Sequence, residues 1–228
     1  MPRHADPTSR DALVAAARAE FSRRGLRGAR IEDITAHCHL SKGAFYLHFE
    51  SKEKLFGELV DAFAGELQRS GEKRREAMTK IIEEHGAITQ RDVVQNSPRY
   101  RRMLEFETRE DLRVLEHMWA FRDVAGVLLR GSQGTPFENF IWDMTDREID
   151  RVKESFDQFQ CHGACRTDIP AEVFGSMMVG TFVLLAMRMS RMTEKPDLAE
   201  WARSLHLLIR EGSTPRDLPR PSAARSAR

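Results

Sequence analysis

The stretch that most constrains this chain is IEDITAHCHLSKGAFYLHFESKEKL, residues 31–55. Apolar side chains recur in it at helical spacing: Ile31, Ile34, Leu40, Phe45, Phe49 and Leu55. The face between them is left to Lys42, Gly43, Ala44, Tyr46, His48 and Lys52. The pattern predicts a short helix, a turn at Cys38-His39-Leu40, a second short helix capped by Ser41, and a longer helix capped by Ser51. A helix that presents small residues, a tyrosine, a histidine and lysines is shaped to meet an anionic, grooved surface. Double-stranded DNA is such a surface.

Upstream, Thr8-Ser9-Arg10-Asp11 fits a capping box, and Leu13, Ala17 and Phe21 mark one face of a first helix that Gly25 stops. The second helix is expected from Ala29 to Cys38. The helix behind Ser51 carries the stripe Leu55, Leu59, Phe63 and Leu67. Downstream, strand signals are absent. Amphipathic segments of helical length run Tyr100–Glu110, Leu112–Leu129, Phe137–Phe159, Ala171–Met192 and Leu198–Arg210. Breaks are expected at Gly71, Gly86, Asn96-Ser97-Pro98, Gly131 to Pro136, Cys161 to Pro170, Lys195-Pro196 and Gly212.

Composition narrows the class without naming a partner. Of the 228 residues, 41% are hydrophobic and 31% charged, as in a soluble globular protein. The formal net charge is +1, and residues 1–60 carry ten basic against eight acidic side chains, an excess of only two. Helix geometry therefore bears more of the DNA argument than bulk charge does. Three widely split cysteines and a polar start (MPRHADPTSRD) fit a reducing cytoplasm. The longest uncharged apolar run, between Glu172 and Arg188, is interrupted by Gly175, Ser176, Gly180 and Thr181. It reads as a buried helix, with no membrane partner.

The motif Arg10-x-x-Leu13-x-Ala15-Ala16-x-x-x-Phe21-x-x-x-Gly25, then Ile34-Thr35-x-x-Cys38-x-Leu40-Ser41-Lys42-Gly43-Ala44-Phe45-Tyr46-x-His48-Phe49-x-Ser51-Lys52-Glu53-x-Leu55, resembles the DNA-binding domain of the TetR family of bacterial transcriptional regulators. The likeness covers about residues 10–55; the rest matches only in all-helical character and size. It implies an all-α fold with an N-terminal three-helix helix-turn-helix DNA-binding domain (1–55) and a C-terminal helical ligand-binding and dimerisation domain (56–211). A disordered basic tail (212–228) follows. It further implies a homodimer that reads a palindromic operator and represses transcription until a small-molecule effector binds. No cofactor and no catalytic role is implied, and no nucleophile elbow, phosphate loop or metal-spaced His/Glu motif occurs in the sequence.

Carried over by position, Lys42, Gly43 and Ala44 approach base edges and Tyr46, His48 and Lys52 hold phosphates, with Arg30 and Ser41 completing the DNA-contacting set. The chain departs from the family pattern in three places. Ala29-Arg30 stands where threonine is common, His39 where the turn has glycine, and Thr35 where alanine is frequent. A histidine at that turn must adopt the left-handed region.

In the C-terminal part, Phe106, Met118, Trp119, Phe140, Ile141 and Met144 either line an apolar ligand cavity or fill the core. Arg122 interrupts the apolar stripe Leu115, Met118, Ala125, Leu129. It is expected to anchor an acidic ligand or to pair with a carboxylate such as Asp143. The helix near 171–192 is apolar nearly all round and needs cover on two sides. Leu198, Trp201, Leu205, Leu208 and Ile209 are expected to cover one, and a symmetry mate in a four-helix bundle the other. The expected dimer interface comprises Phe174, Met177, Met178, Thr181, Leu185, Trp201, Leu205 and Leu208. Cys161 and Cys165 would share a helix face and hold a thiophilic ion, but Gly163 argues for a helix end between them, and no metal site is assigned. A thiol- or metal-responsive regulator and a regulator without a small-molecule effector are the alternatives.

Overall fold

Helical periodicity is realised throughout the described residues, 7–215 of this computed structural model, which form ten helices and no strand. They are α1 (Pro7–Gly28), α2 (Ile31–His37), α3 (Lys42–Tyr46), α4 (Lys52–His85), α5 (Gln90–Val94), α6 (Pro98–Ala120), α7 (Arg122–Arg130), α8 (Phe140–Cys161), α9 (Ala171–Met189) and α10 (Leu198–Ser213). Of the expected tail, Gly212 and Ser213 are thus part of α10, and residues 216–228 lie outside the described residues.

α1 begins at Pro7, so Thr8 sits inside its first turn rather than ahead of it. Gly25 adopts φ 68°, the left-handed conformation expected of it, and the chain continues helically to Gly28 after the kink. The kink brings α1 against the end of α7. The Leu26 amide donates to the Gly131 carbonyl at 3.2 Å, and a Cβ on Gly131 would lie 3.0 Å from the Gly25 Cα. Two turns earlier, Arg18 reaches the start of α7. Its guanidinium donates to both Asp123 oxygens (2.7 and 2.6 Å) and to the Ala120 carbonyl (2.6 Å), over the Phe121 ring. α1 is therefore held to both ends of α7.

Gly71 is no break: α4 runs on through it, and its bare backbone packs on Arg151 of α8. The boundary expected after residue 55 falls inside α4. Nor does the chain break near Glu110, because α6 is continuous and its acidic residues turn inward. Asp111 and Glu107 pair with Arg74 of α4, and Glu110 accepts from Ser70 and pairs with Arg113. Along α4 and α6 this ionic layer separates two apolar clusters. The larger runs from Leu13 through Phe56, Leu115 and Val124 to Ala202, and so joins the helix-turn-helix to the C-terminal helices. The smaller holds Ile88, Val93, Tyr100, Met103 and Ala164.

α5 lies outside the expected helical segments, although Thr89-x-x-Asp92 is a capping box and both of its bonds form. Arg99 holds the Asp92 carboxyl well below the usual carboxylate range, helped by Thr89 and Ser97.

α9 corrects two expectations. It is not a buried helix, since among its residues only Gly175, Ala186 and Met189 are fully buried. Its cover within the chain is chiefly α8, with α7 and α6 beside it and not α10: Phe174 stacks on Phe156 with centroids 3.9 Å apart, and Gly175 lets the helix approach the Ile149 carbonyl. α10 packs on α6 instead. By length and composition α9 is the one described helix able to cross a membrane, with mean hydropathy 1.4, and its open face needs cover of some kind.

The α1–α7 contact yields a stability prediction. Gly25→Ala forces a side chain into a left-handed position 3.2 Å from the Gly131 carbonyl, and should cost about 3 kcal/mol in urea unfolding. Gly86→Ala has the same backbone strain but open space around it, and should cost only about 1 kcal/mol.

Candidate nucleic-acid interface

The recognition helix is fixed from beneath. Ile34, Phe45 and Phe49 are buried, and the Phe45 ring meets Phe49 and Tyr46 at centroid distances of 5.6 Å each. The turn closes through the Leu40 amide, which donates to the Thr35 carbonyl at 2.9 Å, and His39 takes up the left-handed conformation (φ 56°) expected of it. The extra hydroxyl of Thr35 is satisfied by the Glu32 carbonyl (3.1 Å), and the Cys38 thiol donates to Ile34. Ser41 and Ser51 cap α3 and α4 as expected: each Oγ accepts, at 3.1 Å, from the amide three residues on.

On the outer face Lys42, Gly43 and Tyr46 are exposed, Tyr46 by 52%; Ala44 and His48 are half-buried, His48 beside the Phe49 ring. A Cβ on Gly43 would meet only the Ser41 Oγ, at an ordinary 3.7 Å. Internal packing therefore does not demand glycine there, although glycine in a helix costs about 1 kcal/mol against alanine. A groove of about 340 Å³ runs beside this face, lined by Ala29, Arg30, Ile31, Glu32, Lys42, Tyr46 and residues 50–53. Arg30 stands at its rim, N-terminal to α2, and caps nothing with its side chain.

Two lysines behave differently from each other. Lys52, expected at a phosphate, has its ammonium turned to the Ala29 and Arg27 carbonyls (2.7 and 3.0 Å), and its side chain is 19% exposed. It ties the start of α4 to the end of α1. Lys42 remains at the surface, where its ammonium meets the Glu32 carboxylate at 2.6 Å. That bond lowers the Glu32 pKa and raises that of Lys42. Glu32 is the site residue the sequence reading missed. Its signal was an acidic side chain in the first turn of the helix facing the recognition helix, which reads equally as a favourable helix start.

The C-terminal candidates are spread differently. Met118 is in the core, and Trp119, Phe140, Ile141 and Met144 pack against it, with Phe106 half-buried on α6. Neither the groove beside α3 nor a second one, of about 570 Å³, touches them; the second is lined by α9 residues Leu184, Leu185, Met187 and Arg188 with Arg191 and Met192. Arg122 does not pair with Asp143. As the first residue of α7 it lies 4.2 Å over the Trp119 ring and donates to the Trp119 carbonyl, which explains a charge on an apolar stripe.

Of the expected interface residues, Met177 and Leu208 are exposed (52% and 70%), and Met178 and Thr181 are partly so. Phe174 is turned inward onto Phe156, and Leu185, Trp201 and Leu205 pack against the core. Val173 and Leu184 on α9 and Leu207 on α10 are exposed as well. α8 ends at Cys161, and Gly163 (φ 69°) turns the chain before Cys165, so the two thiols do not share a helix face. Burial pushes the Cys165 thiol up to about 11, which disfavours the thiolate that redox or metal chemistry needs.

The two lysines can be told apart by stability. Lys52→Met keeps the aliphatic stem but strips two carbonyls of their donor, and should cost about 2 kcal/mol in urea unfolding. Lys42→Met should leave the urea midpoint in place.

Comparison with known proteins bears on this geometry. Residues 13–59 match the model of the family described as bacterial regulatory proteins, tetR family. The HTH-type transcriptional repressor DhaR of Mycobacterium sp. (strain GP1) is 46% identical over 50 residues, 22% of this chain. The match spans only 25% of that relative's length. Among solved structures, the TetR family transcriptional regulator PfmR from Thermus thermophilus superposes with TM-score 0.61 at 20% identity, covering 88% of this chain and 97% of that one. The transcriptional regulator FadR from Bacillus subtilis, in complex with stearoyl-CoA, does so with TM-score 0.53 at 15% identity, covering 89% and 98%. At these identities the structural likeness is one of fold. Residues 13–59 thus match the helix-turn-helix module of the tetR family, and that module is set in an all-helical fold shared with PfmR.

Proposed function

We propose that this protein is a homodimeric, cytoplasmic, sequence-specific DNA-binding transcriptional regulator, a repressor released when a small molecule binds its C-terminal helices. The observation that carries the reading is the outer face of α3. Lys42, Gly43 and Tyr46 stand open on a helix whose inner face is locked by Phe45, and nothing among the described residues requires the glycine. A missing side chain there suits close approach of the helix backbone to base edges in a major groove, with Tyr46 and His48 flanking toward phosphates. Arg30, Ser41 and Ala44 border the same surface; Lys52 serves it by positioning the start of α4.

Dimerisation is supported by the open apolar side of α9 and α10, where Val173, Met177, Leu184, Leu207 and Leu208 lie exposed. A twofold mate burying that side would form a four-helix bundle and place two recognition helices for a palindrome. The relative named a repressor supports the sign of regulation, and the stearoyl-CoA held by FadR supports a small-molecule effector in the C-terminal part. Phe106, Met118, Trp119, Phe140, Ile141 and Met144 are the residues we assign to that effector, in a conformation opened around it. Release follows if the effector favours a half-site separation that no longer matches the operator.

Selection from a random duplex library at moderate salt tests the reading. The wild-type protein should enrich a palindrome, and Tyr46→Ala should lose it. Salt-sensitive binding with no enriched sequence, equal in both proteins, would overturn it. The dimer has a separate test in Leu184→Glu, which should sediment as a monomer with unchanged far-UV circular dichroism.

A further inference from the structure

The groove beside α3 is odd for a surface that meets DNA. Its lining sets Arg30, Lys42 and Lys52 against Glu32, Glu50 and Glu53, so its formal charges cancel. Of the two lysines, Lys52 is spent on the Ala29 and Arg27 carbonyls, which leaves Lys42 as the lysine there able to reach the duplex. Its ammonium is held at 2.6 Å by the Glu32 carboxylate, across from α2 to α3. Both side chains are more than half exposed, so the pair is open to exchange with solvent or with a ligand. Neither partner supports the core; besides Lys42, the Glu32 carboxylate accepts, among the described residues, only from its own backbone amide and feels the charge of Arg30 more weakly.

We infer that Glu32 is a specificity-determining residue of this DNA-binding surface, holding Lys42 against the capture by backbone phosphates that any duplex offers. The inference rests on the reading that α3 enters the major groove. On an arbitrary duplex, Lys42 gains a phosphate only by leaving Glu32, and the carboxylate is then left beside the same polyanion. The gain in released counterions is offset by that repulsion. On the operator the exchange is not needed: a base edge such as guanine O6 and N7 accepts from an ammonium that keeps Glu32 behind it. The carboxylate therefore penalises sequence-independent binding more than operator binding.

The test measures dissociation constants on the selected operator and on a scrambled duplex across a salt series, for the full-length wild type, Glu32→Gln, Lys42→Gln, the double variant and Glu53→Gln. Glu32→Gln should tighten the scrambled duplex by about tenfold and steepen its log–log salt slope by about 0.9, one added phosphate contact. The operator should gain less, so that the ratio of the two constants falls. The double variant should lose the added slope, because it has no ammonium to release. Glu53→Gln, which removes an acid from the same groove, should shift both duplexes equally. The inference is overturned if Glu32→Gln shifts both duplexes by one factor, as Glu53→Gln does, or if it weakens the operator with the scrambled slope unchanged. If the wild type prefers no duplex at all, the recognition-helix reading has failed instead. An unchanged melting temperature for Glu32→Gln separates these outcomes from misfolding.

Discussion

The contact on which the rest depends is the clamp of α1 onto α7. At one end Arg18 pairs with both Asp123 oxygens and also donates to the last carbonyl of α6; at the other, two glycine backbones meet so closely that an added Cβ would lie 3.0–3.2 Å from its neighbour. A helix of the DNA-binding module and a helix of the C-terminal part are thus tied together at two points. The apolar cluster beneath them is continuous, from Leu13 and Phe21 on α1 to Ala186 and Met189 on α9. Whatever fixes α9 therefore bears on where the recognition helix stands.

α9 is where the chain falls short of its own needs. Its inner side meets α8 through the Phe156–Phe174 stack, but its other side leaves large apolar residues in solvent, Leu184 by 63%. Burying such a side chain is worth about 1.5–3 kcal/mol, so several of them together strongly favour a partner surface. The ionic layer of Arg74, Glu107 and Asp111 shows the opposite economy: charges are taken inside, but each meets a partner across α4 and α6. Removing one member would leave another buried and unpaired.

The helix-turn-helix was legible almost residue by residue. Its caps, its turn and its buried stripe are local features, settled by side chains a few positions apart; Ser41, Ser51, His39 and Phe45 all stand as their spacing required. Further along, local patterns do not place the helix boundaries. Glu110 and Asp111 looked like the polar end of a helix because their partners, Ser70 and Arg74, lie some forty residues away. Gly71 looked like a break because the arginine packed on it, Arg151, belongs to a helix eighty residues later.

The sequence by itself determined the all-helical class, the helix-turn-helix and which face of α3 is left open, because helical periodicity and capping act within one or two turns. Tertiary structure alone decided how the charged side chains are used. Lys42 and Lys52 look alike in the sequence, yet one faces solvent with Glu32 and the other is consumed by the carbonyls of Arg27 and Ala29. It likewise decided that α8 rather than α10 covers α9, and that Arg122 lies on Trp119. Long-range pairing depends on which helices the close approach of Gly25 and Gly131 brings together, and no local pattern encodes that.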